Sequence, residues 1–161
     1  VFLMRVAIFE RPYRRRESSL SKGIISLHYE ISADDFQAAG EASSSVKKKL
    51  KQLGVSPNAV KRVSIAMYEA EMNVVIHGNG GYMDVEIDKD RIKLVFRDKG
   101  PGIPDVDLAM QEGYSTAPDR IREMGFGAGM GLPNIKRNSD KLDIETGIGK
   151  GTILTIEVNM Q

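Results

Sequence analysis

The chain has 161 residues, of which 41% are hydrophobic and 28% charged, with a formal net charge of +1 and no cysteine. These values suit one domain with a real core and give no global electrostatic case for a nucleic acid or a membrane surface. The missing cysteines exclude a disulfide framework and cysteine-ligated zinc, and they fit a reducing compartment. No apolar run reaches the length of a membrane span. The apolar residues 1–9 precede the basic cluster instead of following it, the wrong order for a secretory signal. The expectation is a soluble, cytoplasmic protein.

Residues 1–22 differ from the rest. Val1 to Phe9 has the makings of a short strand, and Arg11, Arg14, Arg15 and Arg16 form a basic knot ahead of a serine-rich stretch. The segment reads as a solvated basic arm, or as residues foreign to the domain that occupies 23–161. A contact with an anionic partner or a nucleic acid is the sharper alternative, against which stands that isolated arginine clusters are common and unspecific.

Ile24 to Ile31 alternates apolar and polar residues, a strand signature. Asp34 is placed to cap a helix in which Phe36, Ala39, Ser43, Val46, Leu50 and Leu53 form the apolar stripe, with Gly54 as its stop. Ser56 and Pro57 start a second helix, a cap followed by a proline at the first position. That helix runs to about His77, with Val60, Val63, Met67, Ala70 and Val74 on its buried stripe. Tyr82–Ile87 and Ile92–Phe96 read as a hairpin, and Asp98–Gly102 as a tight turn. Val106–Gln111 is at most a short helix. Residues 113–126 have no clear periodicity, and a structureless loop of that length inside a domain is usually functional, often a lid. A helix over Leu132–Lys141 tolerates Pro133 in its first turn. Leu142–Glu145 and Ile153–Val158 are two further strands. This order predicts a two-layer α/β sandwich, with helices on one face of a mixed, mostly antiparallel sheet.

Residues 124–137 hold Gly125, Gly127, Gly129 and Gly131 in alternation, ahead of a helix-like run. So many glycines suit neither a packed helix nor a strand, but they do suit a backbone that approaches a ligand. Free N–H groups opening onto a helix form an anion cradle, so phosphate is the first expectation. The position in the chain is wrong for a Rossmann unit, and no Gly-Lys-Ser/Thr follows, which excludes a P-loop.

Three other segments bear on this stretch. Glu69, Asn73 and His77 are spaced by four and share one row of the second helix, with Ile65 one turn earlier. They are either a polar flank or an oxygen-rich site for Mg²⁺ beside a general base. Asp98-Lys-Gly-Pro-Gly102 follows an apolar strand. It is either an ordinary turn or a carboxylate placed to accept from an exocyclic amine such as that of adenine, with Gly100 and Gly102 letting a ring approach. Thr152, opening the last strand after Gly151, is either structural or a hydroxyl near the same ring.

Taken together, Glu-x-x-x-Asn, Asp-x-Gly-x-Gly and Gly-x-Gly-x-Gly-Leu, in this order, resemble the ATP-binding domain shared by gyrase, the heat-shock chaperone, histidine kinases and mismatch-repair proteins, a Bergerat-type fold. The match spans about Ile24 to Val158. Within that superfamily, Glu69–Gly78, Asp98–Asp105 and Glu112-Gly-Tyr-Ser-Thr116 resemble the bacterial anti-sigma factor and switch-protein serine/threonine kinases. The resemblance implies Glu69 as the base for a substrate hydroxyl and Asn73 as the Mg²⁺ ligand. It implies Asp98, assisted by Thr152, at the adenine, and Gly127, Gly129 and Gly131 on the phosphates of ATP. The expected partner is a small anti-anti-sigma-type protein of the sulfate-transporter/anti-sigma-antagonist class, with a sigma factor or other effector and a homodimer as further expectations. The arginine that such kinases often carry just before the glycine box is displaced here, leaving Arg120 and Arg122 as candidates. Two alternatives remain: a nucleotide-switched binding module with little catalysis, and a detached histidine-kinase-type ATPase domain.

Overall fold

The computed structural model describes residues 18–21 and 23–160. The strand expected within Val1–Phe9 and the basic knot lie outside those residues. The described chain forms β1 (Ser18–Ser21), β2 (Ile24–Ile31), α1 (Glu41–Gln52), α2 (Pro57–His77), β3 (Gly81–Ile87), β4 (Arg91–Asp98), α3 (Val106–Ala109), α4 (Asp119–Glu123), α5 (Gly131–Arg137), β5 (Lys141–Gly147) and β6 (Gly151–Asn159). The strands make one sheet in the order β1-β2-β3-β4-β6-β5. Every pairing is antiparallel, so the parallel component allowed for by the sequence is absent among the described strands.

Alternation sets which face of the sheet is dry. Leu27, Tyr29 and Ile31 of β2 pair in register with Val85, Met83 and Gly81 of β3, and Val85 and Leu94 continue the row to Ile156 of β6. Side chains of one parity therefore all point to the same side. Met83, Val85, Ile92, Leu94, Ile156 and Val158 are fully buried there. Each such aliphatic side chain contributes about 1.5–3 kcal/mol on removal from water. The helices cover this face: the α2 stripe Val60, Val63, Met67, Ala70 and Val74 packs into the same core as Val46 and Leu50 of α1 and Ile135 of α5. The β3–β4 turn is held by Asp88, whose Oδ1 accepts from the N–H groups of Asp90 (2.8 Å) and Arg91 (2.9 Å).

α1 starts later than its sequence pattern suggests. Asp34 does not cap it; that residue sits in a turn at φ 52, and the helix begins at Glu41 behind Gly40 at φ 90. The cap comes from α2. Glu71, only 2% exposed, accepts from the N–H of Gly40 through Oε1 and from the N–H and hydroxyl of Ser43 through Oε2. A buried carboxylate needs such donors, and the free N–H groups of a helix start supply them along with a favourable dipole. α2 follows its prediction closely, with Ser56 Oγ accepting from the N–H of Ala59 at 3.3 Å and Pro57 in the first turn. α5 is shorter than expected and ends at Arg137.

Candidate functional site

Helix α2 presents Glu69, Asn73 and His77 to one cavity of about 880 Å³. Asp98, Gly102, Gly127, Gly129, Gly131 and Thr152 also line it. Four segments far apart in sequence thus meet on one volume, of a size that holds a small-molecule cofactor.

At one end stands Asp98, the last residue of β4. Its Oδ1 accepts from the N–H of Gly100 (2.9 Å) and of Thr152 (3.0 Å), while Oδ2 has no hydrogen-bond partner among the described residues. Burial pushes the Asp98 carboxyl above the usual carboxylate range, against those two N–H groups and the neighbouring His77, which pull it down. Burial likewise pushes the His77 imidazole below the usual histidine range, against the Asp98 charge. Burial thus disfavours the charged form of both groups, while each favours the charge of the other. Gly100 does not line the cavity. It is buried beneath it, and a Cβ there would overlap the carbonyl oxygen of His77. Its part in the site is the N–H it gives to Asp98. Gly102, at φ 78, lies so close to the Gly147 carbonyl that no side chain fits.

At the other end lies the glycine stretch. Gly125, Gly127 and Gly129 have φ of 89, 73 and 76, so the alternation is first a backbone requirement: every second residue is left-handed. Gly131 opens α5 against α2. A Cβ on it would sit 3.3 Å from Asn73 Oδ1 and 3.5 Å from Glu69 Oε2. The carboxylate and the amide therefore border one point at the foot of the glycine stretch. Their oxygen chemistry fits Mg²⁺, which takes few protein oxygens and completes its shell with phosphates and water. Among the described residues no cluster of three or more His, Cys, Asp or Glu is placed to hold a metal ion.

Residues 113–126 close over this end. They include the short helix α4, whose five residues are too few to give a periodicity. Ile121 within it and Ala117 just before it are buried. The lid leans on the segment before α1 through stacking of Phe126 on Phe36 (centroids 5.6 Å apart) and an exposed pair between Arg120 and Asp34 (3.6 Å). Arg122 donates to the Ser115 carbonyl (3.0 Å). Neither arginine lines the cavity, and among the described residues no lysine or arginine does.

Two contributors were not foreseen. Thr146 of β5 accepts from the N–H of Ile103 (2.8 Å) and contacts the Thr152 hydroxyl (3.1 Å), so it joins the Asp98 turn to β6. Asn134 of α5 donates to Glu69 Oε1 (3.0 Å). The first had no sequence signal. The second follows Gly131 by one helical turn, the only hint that it shares the face of Gly131.

Comparison with known proteins bears on the same stretch of chain. Residues 58–161 match the family described as histidine kinase-, DNA gyrase B-, and HSP90-like ATPase. The serine/threonine-protein kinase RsbT of Bacillus subtilis (strain 168) is 32% identical over 106 residues, covering 63% of this chain and 74% of that protein. The anti-sigma F factor of Clostridium beijerinckii (strain ATCC 51743 / NCIMB 8052) is 30% identical over 112 residues, covering 66% and 75%. Among solved structures, the RsbU and RsbW domains of Rv1364c from Mycobacterium tuberculosis superpose with a TM-score of 0.57 at 16% identity, over 83% of this chain and 32% of that chain. This chain thus spans about a third of that longer one. The SiaB-SiaC complex from Pseudomonas aeruginosa gives a TM-score of 0.53 at 12% identity, over 83% and 89%. At these identities the two structures speak for the fold.

Proposed function

The chain belongs to the histidine kinase-, DNA gyrase B-, and HSP90-like ATPase family, and from that premise we propose an ATP-dependent serine/threonine protein kinase of the anti-sigma type, acting on a small regulatory protein. The observation that carries this reading is the meeting of Glu69, Asn73 and Gly131 at one point, with Asp98 on the wall of the same cavity. Adenine would rest at the Asp98 end, its exocyclic amine donating to the free Oδ2, with Thr152 beside it. The triphosphate would follow the backbone of Gly127, Gly129 and Gly131. Asn73 Oδ1 would hold Mg²⁺, which when bound neutralises phosphate charge.

Glu69 then stands where a serine hydroxyl of the partner must arrive. The hydroxyl oxygen forms a bond to the γ-phosphorus, the bond from that phosphorus to the ADP oxygen breaks, and the hydroxyl proton passes to Glu69. General-base help of this kind is worth about 10²–10⁴-fold. Positioning and electrostatics supply the remainder. Among the described residues no lysine or arginine lines the cavity, so for Arg120 or Arg122 to reach the γ-phosphate the lid would have to move.

The partner class we propose is a small protein of the sulfate-transporter/anti-sigma-antagonist type, in a cytoplasmic setting. No described helix is long and apolar enough to cross a membrane. The two histidines of the chain offer no support for a histidine-kinase reading: His28 lies in β2 bonded to Asp84 (2.6 Å), and His77 is half-buried beside Asp98.

The test is transfer of labelled γ-phosphate from ATP, with Mg²⁺, to such a partner, repeated with Glu69→Ala. We expect phosphoserine or phosphothreonine on the partner, lost in the variant while ADP still binds. Nucleotide-dependent binding of the partner by both proteins, with no phosphate moved by either, would replace the kinase with a nucleotide-switched binding module.

A further inference from the structure

One run of polar side chains leads from Glu69 to the protein surface. Asn134 Nδ2 donates to Glu69 Oε1 at 3.0 Å. Asn134 Oδ1 accepts from Arg137 Nη2 at 2.7 Å. The other terminal nitrogen of Arg137 pairs with the carboxylate of Glu112, the residue just before the lid. The run thus connects α2, α5 and the start of the lid.

Chemistry permits one order only. A guanidinium donates and does not accept, while a carboxylate accepts and does not donate. An amide between them must turn its oxygen to Arg137 and its nitrogen to Glu69. The two charged neighbours therefore fix an amide rotamer that a lone asparagine leaves open. Glu69 is in turn held by one oxygen. Its Oε2 has no hydrogen-bond partner among the described residues, and it borders the point shared with Asn73 and Gly131. An acceptor of a substrate proton needs this arrangement: one oxygen anchored and one free, in a fixed plane.

We propose that Asn134 is a positioning residue for Glu69, and that the Arg137–Glu112 pair sets the Asn134 amide so that the start of the lid and the base are mechanically joined. The inference rests on the reading of Glu69 as base. Asn134 touches neither nucleotide nor phosphoacceptor; it acts through the carboxylate. Glu112 acts at one further remove, through Arg137.

The experiment is steady-state phosphotransfer from Mg²⁺-ATP to a serine-bearing anti-sigma-antagonist-type protein. It compares the wild type, Asn134→Leu, Asn134→Asp, Glu112→Gln and Glu69→Ala, with ADP affinity and melting temperature measured on each. Losing one charge-assisted hydrogen bond predicts that Asn134→Leu lowers kcat by about 10- to 100-fold. Its ADP affinity stays within about two-fold, because the bond bears on geometry and not on nucleotide contact. Asn134→Asp sets a second carboxylate beside Glu69, so the acid limb of its pH–kcat profile moves to higher pH. Glu112→Gln lowers kcat by less than Asn134→Leu. If Asn134→Leu keeps wild-type kcat while Glu69→Ala is inactive, the positioning role is overturned and the base assignment stands. A fall in kcat matched by equal losses of ADP affinity and melting temperature marks a plain crosslink and overturns it too. An active Glu69→Ala, or a wild type that moves no phosphate, overturns both readings together.

Discussion

At the Asp98 end of the cavity, Gly78, Gly100, Gly102 and Gly151 each give up the Cβ position to atoms already there: the Asp98 Cβ, and carbonyl oxygens of His77, Gly147 and Asp98. At the lid end, the bounding glycines Gly113 and Gly125 have φ of 83 and 89 and meet nothing within 4 Å. Glycine is required at both ends, but for opposite reasons. One end has been fitted by packing, and nothing there moves without displacing backbone. At the other, Gly113 and Gly125 are set by torsion alone, although Gly127 and Gly129 beside them pack against Ala117, Gly113 and Tyr114. On the proposed reading, the adenine and phosphate ends of the site thus differ in what fixes their bounding glycines.

The largest expected effect breaks the stiff end chemically. Asp98→Asn keeps an oxygen for the N–H groups of Gly100 and Thr152 but turns an N–H₂ toward the amine that Oδ2 would receive. Donor then faces donor, and ADP affinity by calorimetry should fall about 10- to 100-fold with the fold intact. Unchanged affinity would remove adenine from this end. The next prediction compares the two kinds of glycine directly. Gly125→Ala should cost only left-handed strain, roughly 1–2 kcal/mol in urea unfolding. Gly102→Ala should cost about 1–3 kcal/mol more, because overpacking against the Gly147 carbonyl adds to the strain. Equal costs would erase the distinction.

Thr146→Val leaves the Ile103 N–H without its acceptor and should lower stability by about 1 kcal/mol, and ADP affinity more than lid protection. Acid sharpens the comparison further. The raised Asp98 carboxyl gives a stability contribution that is complete below the ordinary aspartate range and is lost as pH rises through its folded value. If Asp98 accepts from adenine as proposed, binding uses the ionised form, so ADP affinity has the opposite sign. It weakens as pH falls, starting above the range of an ordinary aspartate, and Asp98→Asn flattens the profile. A wild-type affinity independent of acid would show that the ionised carboxylate is not the acceptor. The smallest effect belongs to the soft end: Phe126→Ala removes the stack on Phe36, worth about 0.5–1.5 kcal/mol. Cleavage within 113–126 should then quicken under limited proteolysis while ADP affinity at the stiff end barely changes.

The sequence showed most of the sheet and α2, because one-sided burial writes a period of two or of three to four into the chain, as in Leu27-x-Tyr29-x-Ile31 and Val60, Val63, Met67. It also showed Glu69, Asn73, Asp98 and the glycines as a group, since the order of short motifs survives in one dimension. It did not show how Gly100 serves, which depends on the carbonyl of His77 lying above it. Nor did it show Asn134 against Glu69, 65 residues apart. The start of α1 was misplaced for the same reason. Its cap is Glu71, supplied from another helix, and no local pattern announces a partner of that kind. β1 and α4 are too short to carry a period.

The buried Glu71 has a consequence for how this protein moves. Residues 69 and 71 stand about 200° apart around α2, since each residue turns an α-helix by roughly 100°. Glu69 borders the cavity while Glu71, on nearly the opposite side, is seated in the start of α1. The helix is keyed like a shaft in its hub: turning it to re-aim Glu69 would pull Glu71 from three donors at once and strand a charge in the core. α2 is therefore held against rotation, and on the proposed reading the stroke that answers to nucleotide would fall to the lid.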